Sequence, residues 1–288
     1  MDSFINIVHY YIPYFSKIKL FLVFFLLLIF FPISSLACSV LYYVDKETGE
    51  IYIANHEDYW YDTKAYIQIE PRSSKELARL WYGWDDFAQG GINEDGLFFD
   101  GAVTPKQNLS FIHNKPKGNL GDDILANCRN VKEALIYLEK RNIALDNAHI
   151  MFGDKNGEAV VVEWVEGKRR LLFIENNRLI MTNFLLSHPE KGNYPCPRYA
   201  SIESRLQKLS ALAHPIKLLD VGNTLGQAAQ TPQKDKNNRI GGTLYSTFIR
   251  LSTMEFFLVS KLDNSKITKL YLENEFLKKK SQKIRLYQ

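Results

Sequence analysis

Few residues in this chain of 288 can serve metals, nucleotides or disulfides: it holds three cysteines and six histidines. The histidines His9, His56, His113, His149, His188 and His214 are scattered, and His56-Glu57 lacks the second histidine that a zinc-binding helix needs, so no metal is expected. Gly-rich phosphate loops and Gly-x-Ser-x-Gly elbows are missing, so no cofactor is expected. An excess of charge of one sign is absent too. Lysine and arginine total 36 against 32 acidic residues, a net charge of +4, and setting the first 37 residues aside leaves 34 against 31. That balance carries no footprint for nucleic acid. With 46% hydrophobic and 24% charged residues, nothing suggests disorder.

What is present begins with a leader. Lys17 and Lys19 flank an apolar run, Leu20 to Phe31, that is short for a bilayer span and stops at Pro32, and Ser35 and Ala37 stand where a signal peptidase reads small residues. Residues 1–37 are expected to be a cleaved signal peptide, touching a membrane only during export, and 38–288 a single exported domain with a basic tail. Cutting after Ala37 leaves Cys38 first, with a free α-amine beside its thiol: a nucleophile and a base on one residue. Two alternatives are an uncleaved anchor and a lipoprotein cysteine. A lipobox usually places leucine three residues before its cysteine, where this chain has Ser35. Cys128 and Cys196 remain as an even pair, bridged or separately buried.

Along the domain, Ser39 to Val44 and Ile51 to Asn55 surround a Gly-containing turn and read as a hairpin headed by Cys38. Phe87 to Asn93 and Leu97 to Asp100 form a second hairpin around Glu94-Asp95-Gly96, with Asn93 near its tip. Asn130 is a plausible N-cap for a helix carrying Val131, Leu135 and Leu138. Strands then follow in an antiparallel meander from His149 to Asn183. Pro197 to Leu212 and Leu218 to Ala229 read as helices, a polar loop covers Thr231 to Arg239, and strands resume from Thr243 to Leu272. The segregated runs indicate an α+β layered domain. The Lys-rich end, Leu277 to Arg285, reads as a solvated, fraying tail.

Several of these pieces recur together. Cys38 at a cleavage point, Asn55-His-Glu-Asp58-Tyr-Trp60, Gln89-Gly-Gly-Ile-Asn93-Glu-Asp-Gly-Leu97, Phe152-Gly-Asp154 through Glu163, Met181-Thr-Asn183 and Pro197-Arg198-Tyr199 appear in that order. The set resembles the N-terminal-nucleophile (Ntn) linear amide hydrolases, the group of choloylglycine hydrolase and penicillin V acylase, over Cys38 to about Ser260. The resemblance implies a four-layer αββα sandwich in which the terminal cysteine attacks an amide. Carried over by position, it makes Cys38 the nucleophile and Asp58 the aspartate beside it. Asn93 and Asn183 match the oxyanion-hole asparagines, and Arg198 the site's arginine. The first motif in bile-salt and penicillin V enzymes reads Arg-Asn-x-Asp, and here Asn55 stands where that arginine would be. A cation is lost beside the nucleophile, which argues against those substrates.

The chemistry of the residues agrees with these roles. An α-amine titrates near 8, so the amine of Cys38 can act as base without a histidine. Asparagine N–H groups suit an oxyanion that forms only in the tetrahedral state. Asn55, Trp60 and Trp84 are candidate substrate contacts. The expected partner is a small-molecule N-acyl amide, cleaved through a thioester; a homo-oligomer stays open. The same thioester could pass its acyl group to an amine, making an acyltransferase, and a lipid-anchored binding protein with Cys38 as its anchor is the reading from another class.

Overall fold

The computed structural model describes residues 38–109, 113–209 and 215–286. The leader, and with it the expected cleavage after Ala37, lies outside the described residues. So do the last three positions of the helix expected from Pro197 to Leu212.

Two antiparallel sheets stack face to face between layers of helix. The first sheet has seven strands. Its main path runs β10 (Arg178–Met181), β1 (Ser39–Val44), β2 (Ile51–Trp60), β12 (Ile240–Arg250), β13 (Glu255–Ser260) and β14 (Ile267–Tyr271), with β11 (Gln233–Lys234) also on β12. The second runs β15 (Gln282–Arg285), β3 (Tyr66–Glu70), β4 (Arg79–Trp84), β5 (Phe87–Asn93), β6 (Phe98–Val103), β7 (Ala148–Gly153), β8 (Ala159–Val165) and β9 (Lys168–Phe173). Helices α1 (Leu120–Asn127) and α2 (Val131–Lys140) cover the second sheet. Helices α3 (Pro197–Leu209) and α4 (Leu218–Leu225) cover the first, and the short α5 (Leu272–Phe276) follows β14. This is the expected αββα sandwich.

The continuous apolar run of β1 follows from this layering. Val40 and Tyr42 enter the core between the sheets, while Leu41 and Tyr43 enter the core beneath α3 and α4. A strand buried on both faces has no polar side to show. The same alternation along β2 sends Ile51 and Ile53 between the sheets and Tyr52 and Ala54 towards the helices. Continued by two residues at a time, it delivers Asn55 and Glu57 to the inter-sheet layer.

Helix starts agree with the sequence. The side chain of Asn130 accepts from the backbone N–H of Glu133 at 2.9 Å, and Asn119 caps α1 in the same way from Asp122. The polar stretch from Thr231 to Arg239 differs only in holding the two-residue β11.

The C-terminal segment departs from expectation. It is a paired strand, β15, with Ile284 opposite Ile67 and Arg285 opposite Tyr66. Lys283 and Arg285 alternate with Ile284 and the buried Leu286, a period of two that the lysine count hides. The ammonium of Lys283 lies 3.9 Å from the centroid of the Tyr66 ring. Charged side chains on such an edge also discourage further strand addition.

Candidate active site

Cys38 precedes β1, which lies between β10 and β2 in its sheet, and is 6% exposed. Ser39 pairs with His56 in the β1–β2 ladder, so Cys38 lies alongside Glu57. Its thiol contacts Glu57 Oε1 at 3.1 Å. The carbonyl of Cys38 accepts from Arg198 Nη1 at 2.6 Å, and the same nitrogen donates to Ser39 Oγ at 2.9 Å. Arg198 Nη2 donates to Asn183 Oδ1 at 3.0 Å, and Nη1 comes within 3.9 Å of Asp58 Oδ2. One guanidinium at the start of α3 thus ties Cys38, Asn183 and Asp58 together, which a planar fork of five donors suits. Thr243 donates to Asp58 Oδ1 at 2.6 Å, fixing that carboxyl from β12.

A second group of buried acids lies behind the Cys38 thiol. Asp100 Oδ2, on β6, accepts from Asn55 Nδ2 at 2.9 Å and from the Tyr82 hydroxyl at 2.8 Å, which joins the two sheets through the core. Gly90 makes room for it: a Cβ there would lie 2.3 Å from Asp100 Oδ2 and 2.5 Å from the Tyr82 oxygen. Four acceptor atoms, Asn55 Oδ1, Glu57 Oε2, Asp58 Oδ2 and Asp100 Oδ1, are buried without a hydrogen-bond partner, as is the Tyr245 hydroxyl. Unpaired polar atoms inside a protein are costly, and their concentration on neighbouring strands makes this region the candidate site.

Electrostatics follows from this crowding. Burial pushes the Glu57 carboxyl up to about 8, with Asp58 adding to the effect and the Cys38 hydrogen bond opposing it. Burial raises Asp58 to about 7 against the pull of Thr243 and Arg198. Asp100 is raised well above the usual carboxylate range by burial and by Glu57. Burial, then the charges of Glu57 and Asp58, drives the Cys38 thiol well above its ordinary value. Burial and the neighbouring carboxyls therefore favour the protonated thiol.

Cys38, Glu57, Asp58 and Asn183 open onto a cavity of about 430 Å³. Its walls are mostly apolar: Tyr59 and Trp84, Phe87 and Ala88, Phe99 and Ile150, and Leu120 and Ile124 of α1. The Tyr59 and Trp84 rings stack with centroids 4.5 Å apart. Gly121 lets α1 approach the wall, since a Cβ there would lie 2.1 Å from Phe99 Cζ.

The sequence candidates divide. Asp58, Asn183, Arg198 and Trp84 are gathered around Cys38 or its cavity. Asn183 Nδ2 donates to the Val103 carbonyl at 2.9 Å and keeps a second amide hydrogen. Asn55 supports the acids from behind and is not among the cavity's lining residues. Trp60 lies outside that lining, with the Arg239 guanidinium 4.7 Å from its ring centroid.

Asn93 corrects the expectation of an oxyanion donor. Its amide nitrogen donates to the carbonyls of Leu125 and Cys128 at 2.9 and 2.7 Å, and its oxygen accepts from the N–H groups of Asp95 and Leu97. Both donors are spent closing the end of α1, so none is left for a substrate. Cys128 and Cys196 are separate buried thiols, not a bridge.

The sequence reading missed Glu57, Asp100, Tyr82, and the pair His149 and Glu163. Position alone could have found Glu57, because a strand alternation that points Ile51 and Ile53 inward points Glu57 inward too. His149 Nδ1 meets Glu163 Oε1 at 3.0 Å and Nε2 meets the Thr182 carbonyl at 2.7 Å, both side chains being fully buried. Glu163 also accepts from the N–H groups of Leu186 and Ser187 and from the Ser187 hydroxyl. Burial alone would raise Glu163, but hydrogen bonds from His149 and Ser187 outweigh it and hold the carboxyl below its usual value. His149 is thus held at both ring nitrogens, one against a carboxylate and the other against a carbonyl. It pins Thr182, the residue before Asn183. Among the described residues no cluster of histidine, cysteine and carboxylate could hold a metal ion.

The family described as acyl-coenzyme A:6-aminopenicillanic acid acyl-transferase matches residues 88–270. The chain belongs to that family. It is an enzyme of the amide hydrolase or acyltransferase kind. Among solved structures it is similar to a variant of conjugated bile acid hydrolase from Clostridium perfringens, with a TM-score of 0.72 and 17% identity over 87% of this chain and 97% of that one. It is also similar to penicillin V acylase from Agrobacterium tumefaciens, with a TM-score of 0.66 and 17% identity over 85% and 90% of the two chains. Those likenesses establish the Ntn hydrolase fold for this family member. No curated sequence relative matches.

Proposed function

We propose that this family member is an exported cysteine amidohydrolase that cleaves a linear N-acyl amide through a thioester on Cys38. The observation that carries the reading is the thiol itself, buried beside Arg198, Asn183 and Asp58 and facing a mostly apolar cavity able to take an acyl group.

Removal of residues 1–37 gives Cys38 an α-amine. Asp58 Oδ2, buried without a hydrogen bond and approached by Arg198 only to 3.9 Å, is suited to receive that amine and orient it. The amine takes the thiol proton while sulfur attacks the carbonyl carbon. The negative oxygen of the tetrahedral intermediate takes a hydrogen bond from the second Nδ2 hydrogen of Asn183, whose position Arg198 and the Thr182–His149 contact hold. The C–N bond then breaks, the α-ammonium hands its proton to the departing nitrogen, and an acyl thioester remains on sulfur. Water, deprotonated by the amine, attacks the thioester and releases the acid.

The acyltransferase reading differs only in the last acceptor, an amine in place of water, and the description of the family favours keeping it. The test is hydrolysis of N-acyl amides by the mature protein, with mass spectrometry to trap the acyl-enzyme. Added amines separate transfer from hydrolysis by the product formed. Cys38→Ser should abolish both; turnover that survives it would remove the thioester mechanism.

A further inference from the structure

One carboxyl touches the reacting sulfur and takes no part in the attack driven by the amine. Glu57 Oε1 accepts from the Cys38 thiol at 3.1 Å, the residue lines the cavity, and its second oxygen is buried without a hydrogen bond. Its surroundings keep it neutral. The titratable groups around it are Cys38 at the start of β1, Asp58 on its own strand, Asp100 on β6 and Tyr245 opposite it on β12, none of them a cation. Arg198 is engaged by the Cys38 carbonyl, Ser39 and Asn183, and His149, which also lines the cavity, is held by Glu163 and Thr182.

Acylation changes this contact. Once sulfur carries the acyl group the thiol hydrogen is gone, and the hydrogen bond left to the pair is one that a protonated Glu57 donates. The thiol's hydrogen bond had opposed the upward push of burial on that carboxyl, so the acyl-enzyme holds the proton there more firmly. Hydrolysis must then expel a sulfur whose thiol is driven well above its ordinary value, which makes the bare thiolate a poor leaving group.

Resting on the amidohydrolase reading above, we propose that Glu57 is a second catalytic residue, the general acid of the deacylation step. The amine takes a proton from water, whose oxygen bonds to the thioester carbon. The tetrahedral intermediate collapses, the C–S bond breaks with its electron pair going to sulfur, and sulfur takes the Glu57 proton. The proton held by the α-ammonium then restores the Glu57 carboxyl, so thiol, amine and carboxyl end as they began.

In the experiment, p-nitrophenyl decanoate loads Cys38 of the mature protein with an acyl group and intact mass follows its loss; Cys38→Ala protein marks any label carried elsewhere. Wild-type deacylation should rise with pH as the amine becomes neutral and fall again at or above about pH 8 as Glu57 loses its proton. Glu57→Gln should slow deacylation at pH 7 by on the order of a hundredfold, the usual contribution of one general acid, and should lose the falling limb. A purely electrostatic role predicts the opposite sign, because a neutral amide beside sulfur makes the thiolate easier to expel. A Glu57→Gln rate equal to or above wild type overturns the inference, as does a wild-type profile without a falling limb, which needs no variant to fold. Either result leaves the amidohydrolase reading standing, whereas a wild-type protein that forms no acyl-enzyme overturns both.

Discussion

Glu57 Oε1 lies 3.1 Å from Cys38 Sγ, on the strand paired with β1. Above about pH 8 that carboxyl is ionised and opposes the thiolate. Glu57→Gln should therefore lower the thiol pKa and speed iodoacetamide alkylation of Cys38 at pH 9 by roughly tenfold, one pKa unit of relief. An unaltered rate would mean that burial alone controls the sulfur.

Asn183 and Asn93 should separate cleanly. Asn183→Ala is expected to reduce kcat by on the order of a hundredfold, the usual effect of one lost oxyanion donor, while Tm moves little. Asn93→Ala should do the reverse. It leaves the Leu125 and Cys128 carbonyls without a donor, for a loss of about 1–3 kcal/mol in denaturant unfolding and a kcat within a few-fold of wild type. The ratio of the two kcat losses is the measurement.

Glu163 and His149 are fully buried, and Glu163 accepts from His149, from the Leu186 and Ser187 N–H groups and from the Ser187 hydroxyl. Glu163→Ala strands those donors and should cost about 3 kcal/mol or more by urea unfolding. A cost near zero would show that this network does not support the fold.

The stability of the protein should fall as pH rises above neutrality. Glu57, Asp58 and Asp100 titrate higher in the fold than in the open chain, so the native state keeps protons that the unfolded state has released. Stability from these groups is lost from about pH 4 towards pH 8. His56 acts in the opposite sense: burial lowers it from 6.5 to about 4, so its contribution grows with pH only below 6.5. Between pH 6.5 and 8 the carboxyls act alone, and Tm should drop across that interval. Asp100→Asn should flatten the drop, and an identical slope in the variant would exclude Asp100 from the linkage.

Much of this was legible in the chain and some was not, for identifiable reasons. The β1–β2 hairpin, the Asn130 cap and the meander of β7 to β10 are local patterns, written in alternation, turn residues and a capping side chain. Arg198 and Asn183 were recognisable from their motifs, yet what they do together depends on contacts across 15 residues or more, which no window of sequence displays. Asn93 misled because the hairpin that carries it packs under α1, and the tip became a helix closure. Asp100 looked like the end of a strand, and only the stacking of two sheets puts it against Asn55. The β15 strand was hidden by its charges, Lys283 and Arg285, which occupy the outer positions of an edge.

Intact-mass analysis of the protein recovered from its native host tests the central claim most directly. The account predicts a chain beginning at unmodified Cys38, which gains the mass of one acyl group when mixed with an N-acyl amide and gains nothing when Cys38 is serine. A lipid-sized increment on Cys38, or an active chain that still carries residues 1–37, would contradict it.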